Sequence, residues 1–135
     1  MLEMKRLQDG KQKSALLTEL GVDTSEVFVY AAYEGGNQIG YAVFENLEGK
    51  VTVTYAEYQD EDLLDGLIRS GMAWMDDCGF SELYFSDQLD ANLLKKLYFI
   101  SDESYYVNSI GDFLKTCKKC RMLLFAPCYL INDCV

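Results

Sequence analysis

Residues 51–85, VTVTYAEYQDEDLLDGLIRSGMAWMDDCGFSELYF, decide the fold. VTVTYAEY is rich in β-branched and aromatic residues and reads as a strand, with Val51, Val53 and Tyr55 on one face and Thr52, Thr54 and Ala56 on the other. QDEDLLDG then opens a helix running from about Asp60 to Cys78. Its stripe is Leu64, Ile68, Gly71, Met75 and Cys78 at four- and three-residue intervals, widened by Leu63, Leu67 and Trp74. Cys78 on this stripe reads as a small buried hydrophobe. Gly79 stops the helix and FSELYFS is the next strand; such a crossover usually returns parallel.

Upstream, VFVYAAYE and QIGYAVFE have the same strand character as VTVTYAEY. Gly35-Gly36-Asn37 and Leu47-Glu48-Gly49-Lys50 separate the three, with glycine where a hairpin needs positive φ, so they form an antiparallel meander. Leu2–Leu7 is a short first strand. Asp9 stands at the N-cap of the helix KQKSALLTEL, which buries Leu16, Leu17 and Leu20 and ends at Gly21. Downstream come a helix from Ala91 to about Tyr98 with Leu94 and Leu97 inward, a short strand at Tyr105–Val107 and a helix over Ile110–Cys120. Arg121–Phe125 reads as a last strand that Pro127 stops or holds at an edge. With no repeat and no low-complexity linker, residues 1–135 make one mixed α/β domain: 1–26 a short N-terminal strand and helix, 27–107 the core, 108–135 a cysteine-containing tail.

The formal charge is −10, from 12 basic and 22 acidic side chains. That field repels nucleic acid and anionic membrane, because phosphate is held by Lys and Arg. The basic residues gather in Lys5–Lys13 and Lys115–Arg121 and read as solvated faces. No apolar run reaches the roughly 20 residues of a membrane span, and MLEMKRLQDG lacks the apolar centre of a signal peptide, so a cytoplasmic protein is expected. Histidine is absent, which removes the commonest general base and the commonest metal ligand.

The order of a three-strand meander, helix, strand, helix and strand over residues 27–107 resembles the GNAT N-acetyltransferase superfamily. LIRSGMAWMDDCGFSELYF looks like that family's long central helix, its Gly-Phe exit and its next strand, and LLKKLYFI resembles its Tyr-x-x-x-Gly-Phe segment. The resemblance implies an α/β (α+β) fold in which an antiparallel meander feeds a β-α-β unit. It implies acetyl-CoA or another acyl-CoA as the donor if the chain is enzymatic. In the family, an Arg/Gln-x-x-Gly-x-Gly/Ala turn holds the CoA pyrophosphate on backbone amides. Here that turn is Gln59-Asp60-Glu61-Asp62-Leu63-Leu64, which keeps only Gln59 and replaces both motif glycines, by Asp62 and Leu64. Glycine lets the backbone approach the phosphates; carboxylates there add repulsion of about 1 kcal/mol per solvated contact at about 4 Å. The acids have a structural use at a helix N-terminus, and a cation-binding role is the alternative.

Two further family positions differ. Aligning Phe99 with the family's phenylalanine puts Leu94 at the tyrosine that protonates the CoA thiolate, and Tyr98 at its glycine. Tyr98, one turn along, is the remaining phenol and reads as a core residue with a satisfied hydroxyl. About 26 residues precede the first long strand, room for one helix rather than the family's usual pair over the acceptor site. Glu57 and Tyr58 end the strand that, in the family, parts from the next to admit pantetheine; Glu57 is the candidate general base through water.

Cys117, Cys120, Cys128 and Cys134 form a candidate all-thiolate zinc or Fe–S set, with Asp133 able to complete it, against a reading as ordinary reduced thiols and a redox reading of Cys117-Lys118-Lys119-Cys120. Tyr30, Tyr33, Tyr41, Tyr55, Tyr58, Tyr84, Tyr105 and Tyr106 read mainly as cross-strand packing, with a tyrosine-lined pocket for a small ligand or peptide as the alternative. The expectation is a GNAT-like scaffold with a degenerate acetyl-CoA site, needing no cofactor, that binds a protein partner or small molecule as a monomer or a homodimer through the last strand's edge. The alternatives are an active N-acetyltransferase working on an amine and a metal or redox module in the cysteine tail.

Overall fold

The computed structural model describes residues 2–8, 10–22 and 26–116. The elements run β1 (Leu2–Arg6), α1 (Lys11–Leu20), β2 (Val27–Glu34), β3 (Asn37–Leu47), β4 (Lys50–Glu57), α2 (Glu61–Asp77), β5 (Leu83–Phe85), α3 (Ala91–Lys96), β6 (Tyr106–Val107) and α4 (Ile110–Thr116). One sheet holds all six strands in chain order, antiparallel except for the parallel pair β4–β5, as the crossover predicts. The hairpin from β3 to β4 turns through Glu48 (φ 55°) and Gly49 (φ 87°), the two left-handed residues that match the twist of its strands.

α2 fastens the larger core. Leu63, Leu64, Leu67, Ile68, Met72 and Met75 are buried against Tyr30, Ala32, Ala42, Phe44, Val51 and Val53 on one face of the sheet. Gly71 has a packing reason: a Cβ there would run into the Phe44 ring, which itself stacks on Phe28 with centroids 4.5 Å apart. Glycine inside a helix costs about 1 kcal/mol relative to alanine, and the close approach of α2 to β3 offsets it. Cys78 is not the buried hydrophobe its spacing suggests; it is the exposed C-cap of α2, because the helix ends before the stripe returns to the core.

α1 covers the opposite face. Leu16, Leu17 and Leu20 pack against Leu7, Val29, Ala31 and Val43, yet none of the helix's residues is fully buried. Its N-cap is Gly10, which forms no side-chain cap bond; Asp9, the expected cap, lies outside the described residues. The strand expected at Tyr105–Val107 is Tyr106–Val107, and α4 is described to Thr116. The strand expected at Arg121–Phe125, and the dimer edge it would offer, lie outside the described residues.

Candidate functional site

The turn between β4 and α2 is built from its own carboxylates. Asp60 is the N-cap, in extended conformation, and its Oδ1 accepts the Leu63 amide at 2.9 Å while its carbonyl accepts the Leu64 amide at 3.3 Å. Glu61 and Asp62 follow in the first turn, where the helix dipole favours negative charge. Glu61 Oε2 also accepts from Lys96 Nζ at 2.9 Å, which ties the turn to the last turn of α3. Leu63 and Leu64 are buried, so of the six turn residues Gln59, Asp60 and Asp62 are exposed and Glu61 is half-buried. Asp60 thereby takes up one of the amides that the first turn of α2 leaves without an intrahelical partner.

Beside this turn the strands part. β5 pairs with β4 only at Thr52–Tyr84 and Val53–Phe85, with the Ser86 amide adding a bond to the Val53 carbonyl at 3.0 Å. β4 runs on to Glu57 while β5 stops at Phe85. Ser86 Oγ donates to the Thr54 carbonyl at 3.0 Å, clasping the strands where they begin to diverge. Opposite, Val43 pairs with Tyr55 and Phe44 with Val53, leaving Thr54 as the extra residue of a bulge. The bulge corrects the expected alternation: Val51 and Val53 face α2, but Tyr55 turns to the α1 side and Ala56 returns to the α2 side. Thr54 is buried, and its hydroxyl has no hydrogen-bond partner.

Glu57 lies at the exposed end of β4, paired across the sheet with Tyr41. The Tyr41 phenol donates to the Glu57 carboxylate; burial first, then the charges of Glu57 and Glu19, hold that phenol above its ordinary pKa of 10.0. Tyr98 is elsewhere and is not a core residue. It is 82% exposed with φ 70°, and its amide bonds to the Lys95 carbonyl while the Phe99 amide bonds to the Leu94 carbonyl. This is the left-handed exit from α3 that glycine usually fills, so the backbone turns the Tyr98 ring outward. Leu94, by contrast, is buried in the α2 core.

Tyr98 borders a groove of about 350 Å³ formed with Phe99, Ile100, Tyr106, Val107 and Phe113, among others; Glu57 has no part in it. This groove therefore does not bring the two candidate catalytic residues together. Sequence reasoning missed this groove, the bulge at Thr54, the Ser86 clasp and the Lys96–Glu61 pair. Signals for two of them were present: serines at 101, 104 and 109 bracket the aromatic pair Tyr105-Tyr106, and lysines end α3.

Among the described residues no group of His, Cys, Asp and Glu is arranged to hold a metal ion, the acidic turn included. Cys117, Cys120, Cys128 and Cys134 lie outside the described residues. Among the described residues no helix is long and apolar enough to cross a membrane.

No family model matches the chain, and no curated protein matches it in sequence. Solved structures do match in shape. An N-acetyltransferase from Staphylococcus aureus Mu50 superposes with a TM-score of 0.53 at 19% identity, covering 73% of this chain and 78% of that one. The E. coli protein YhhK bound to coenzyme A gives 0.51 at 11% identity, covering 81% and 98%. A cAMP-binding acyltransferase from Mycobacterium smegmatis gives 0.52 at 13% identity over 98% of this chain, which spans 52% of that protein. The antiparallel meander, the parallel β4–α2–β5 crossover and these likenesses agree: the chain has a GNAT-like N-acetyltransferase fold.

Proposed function

We propose that the chain is a GNAT-fold binding protein that performs no acyl transfer. The observation that carries this reading is the first turn of α2, where the Asp60 carboxylate takes the Leu63 amide at 2.9 Å and Glu61 and Asp62 stand beside it. A pyrophosphate approaching that turn meets like charge and an amide already in use; each solvated contact at about 4 Å adds about 1 kcal/mol of repulsion. Two more features support the reading. In the alignment with the family Leu94, a buried core residue, takes the place of the proton-donating tyrosine, and α1 is the one helix described between β1 and β2.

A second reading has its own support in the divergence of β4 from β5 and in the buried, unpartnered hydroxyl of Thr54. In that reading the gap admits the pantetheine of an acyl-CoA, as befits a fold whose E. coli neighbour is bound to coenzyme A. Glu57 would take the proton of an attacking amine through water, and Tyr98 would be the nearest phenol in sequence for the departing thiolate.

Calorimetric titration with acetyl-CoA, and with CoA as comparator, separates the two. The scaffold reading expects no saturable binding with Kd below about 1 mM; a Kd below about 100 μM, roughly 5.5 kcal/mol, would overturn it in favour of the transferase.

A further inference from the structure

Among the described residues, the sheet face away from α2 is only partly covered. The α1 cluster is built on Leu7, Val29, Ala31 and Val43 and reaches β4 at Tyr55. Strand register carries one row of side chains across this face: Val27, Glu45, Thr52, Tyr84 and Tyr106. Val27 joins the α1 cluster, whereas Tyr84 and Tyr106 belong to neither core cluster among the described residues. Their rings stack with centroids 4.7 Å apart and planes 1° from parallel. Tyr105, 76% exposed, adds a third ring 5.8 Å from Tyr106.

The row has carboxylates on it and beside it. Glu45 lies in it, and Glu82 Oε1 accepts from the Tyr84 hydroxyl at 3.4 Å. Desolvation first, then the Glu82 charge, hold the Tyr84 phenol above its ordinary pKa of 10.0, as expected in a negative local field. The chain also seats a cation here itself: Lys50 Nζ stands 5.3 Å from the Tyr84 ring centroid. Lys5 over Tyr33 at 4.8 Å is a second tyrosine used in this way.

We propose that this tyrosine row docks a cationic segment of a partner protein, with an arginine or lysine side chain settling on Tyr106 and Tyr105 as Lys50 settles on Tyr84. Charge complementarity selects the occupant, because a chain of net charge −10 attracts cationic partners and repels anionic ones. Tyr105 is exposed and Tyr84 and Tyr106 are half-buried; tyrosines supply broad contact at low entropic cost, which suits them to anchor an interface. The row lies before the point where β4 and β5 part, so it is separate from the gap beside Glu57. The inference names a partner class for the scaffold reading and rests on it, yet peptide binding can fail while the α2 turn stays closed to CoA.

The test titrates the full chain with an oligo-arginine peptide at physiological ionic strength, reading affinity and the tyrosine ring resonances. Tyr105→Ala with Tyr106→Leu leaves the net charge intact and is expected to weaken binding by at least about tenfold. Tyr105→Ala alone, at a side chain that is 76% exposed, is expected to weaken it about threefold. Asp76→Asn with Asp77→Asn removes two exposed carboxylates from the helix on the other face and is expected to cost less than about twofold. No binding, a double-tyrosine loss below about threefold, or an aspartate loss as large as the tyrosine loss would overturn the proposal.

Discussion

The two faces of the sheet are held unequally. On one, α2 buries Leu64, Leu67, Ile68, Met72 and Met75 to 1% exposure or less and brings its backbone close enough that Gly71 leaves no room for a methyl beside Phe44. On the other, α1 rests on Leu7, Val29, Ala31 and Val43 through leucines that are only half-buried. The difference separates what fixes the fold from what is left for binding. The α2 face sets the geometry of the β4–α2–β5 unit, including the Asp60 cap. Among the described residues the α1 face is lightly covered, and the tyrosine row on it is the proposed docking surface.

The largest expected effects lie on the α2 face. Leu67→Ala should cost about 3 kcal/mol in urea unfolding, whereas Leu17→Ala on α1 should cost about 1 kcal/mol. Equal losses would erase the asymmetry. Gly71→Ala should be the next most costly, about 1–2 kcal/mol, since forcing a methyl against Phe44 outweighs the gain in helix propensity; a stabilised variant would show that α2 can shift away.

Asp60→Ala should cost about 1 kcal/mol, because the Leu63 amide loses its acceptor at 2.9 Å. Thermal denaturation measures this, and no loss would mean that the cap does little to fix the turn. The smallest effect belongs to Tyr41 on the α1 face. Its phenol is raised above 10.0, so the folded state keeps a proton that the unfolded chain gives up. Stability from this group is complete below pH of about 10 and falls as pH rises through the folded value. Tyr41→Phe should flatten that decline in alkaline denaturation; an unchanged decline would assign it to other tyrosines.

The same asymmetry explains what was legible in the sequence. The α2 stripe was read to within a residue or so at each end, because a helix buried along one face must repeat at helical spacing. The meander followed from glycine-bearing turns whose positive φ values are confirmed at Gly35, Gly36 and Gly49. Cys78 is the exception because periodicity does not say where the helix ends. The facing of Tyr55 and Ala56 was misplaced because a bulge at Thr54 breaks the period of two, and no residue type announces it. Tyr98 reads as core in the sequence because a tyrosine one turn after a buried leucine usually is; its positive φ is set by the exit from α3. Of the candidate site, the acidity of the α2 turn was visible directly, but its internal use of the Leu63 amide depends on the Asp60 rotamer.

The most direct test follows the backbone amide resonances of Glu61, Asp62, Leu63 and Leu64 as acetyl-CoA is added. A turn closed by its own carboxylates leaves these amides unmoved up to about 1 mM ligand, a limit of roughly 4.1 kcal/mol. Saturable shifts centred on Glu61–Leu64 at lower concentration would show that phosphate reaches the helix end, and would contradict a closed donor site.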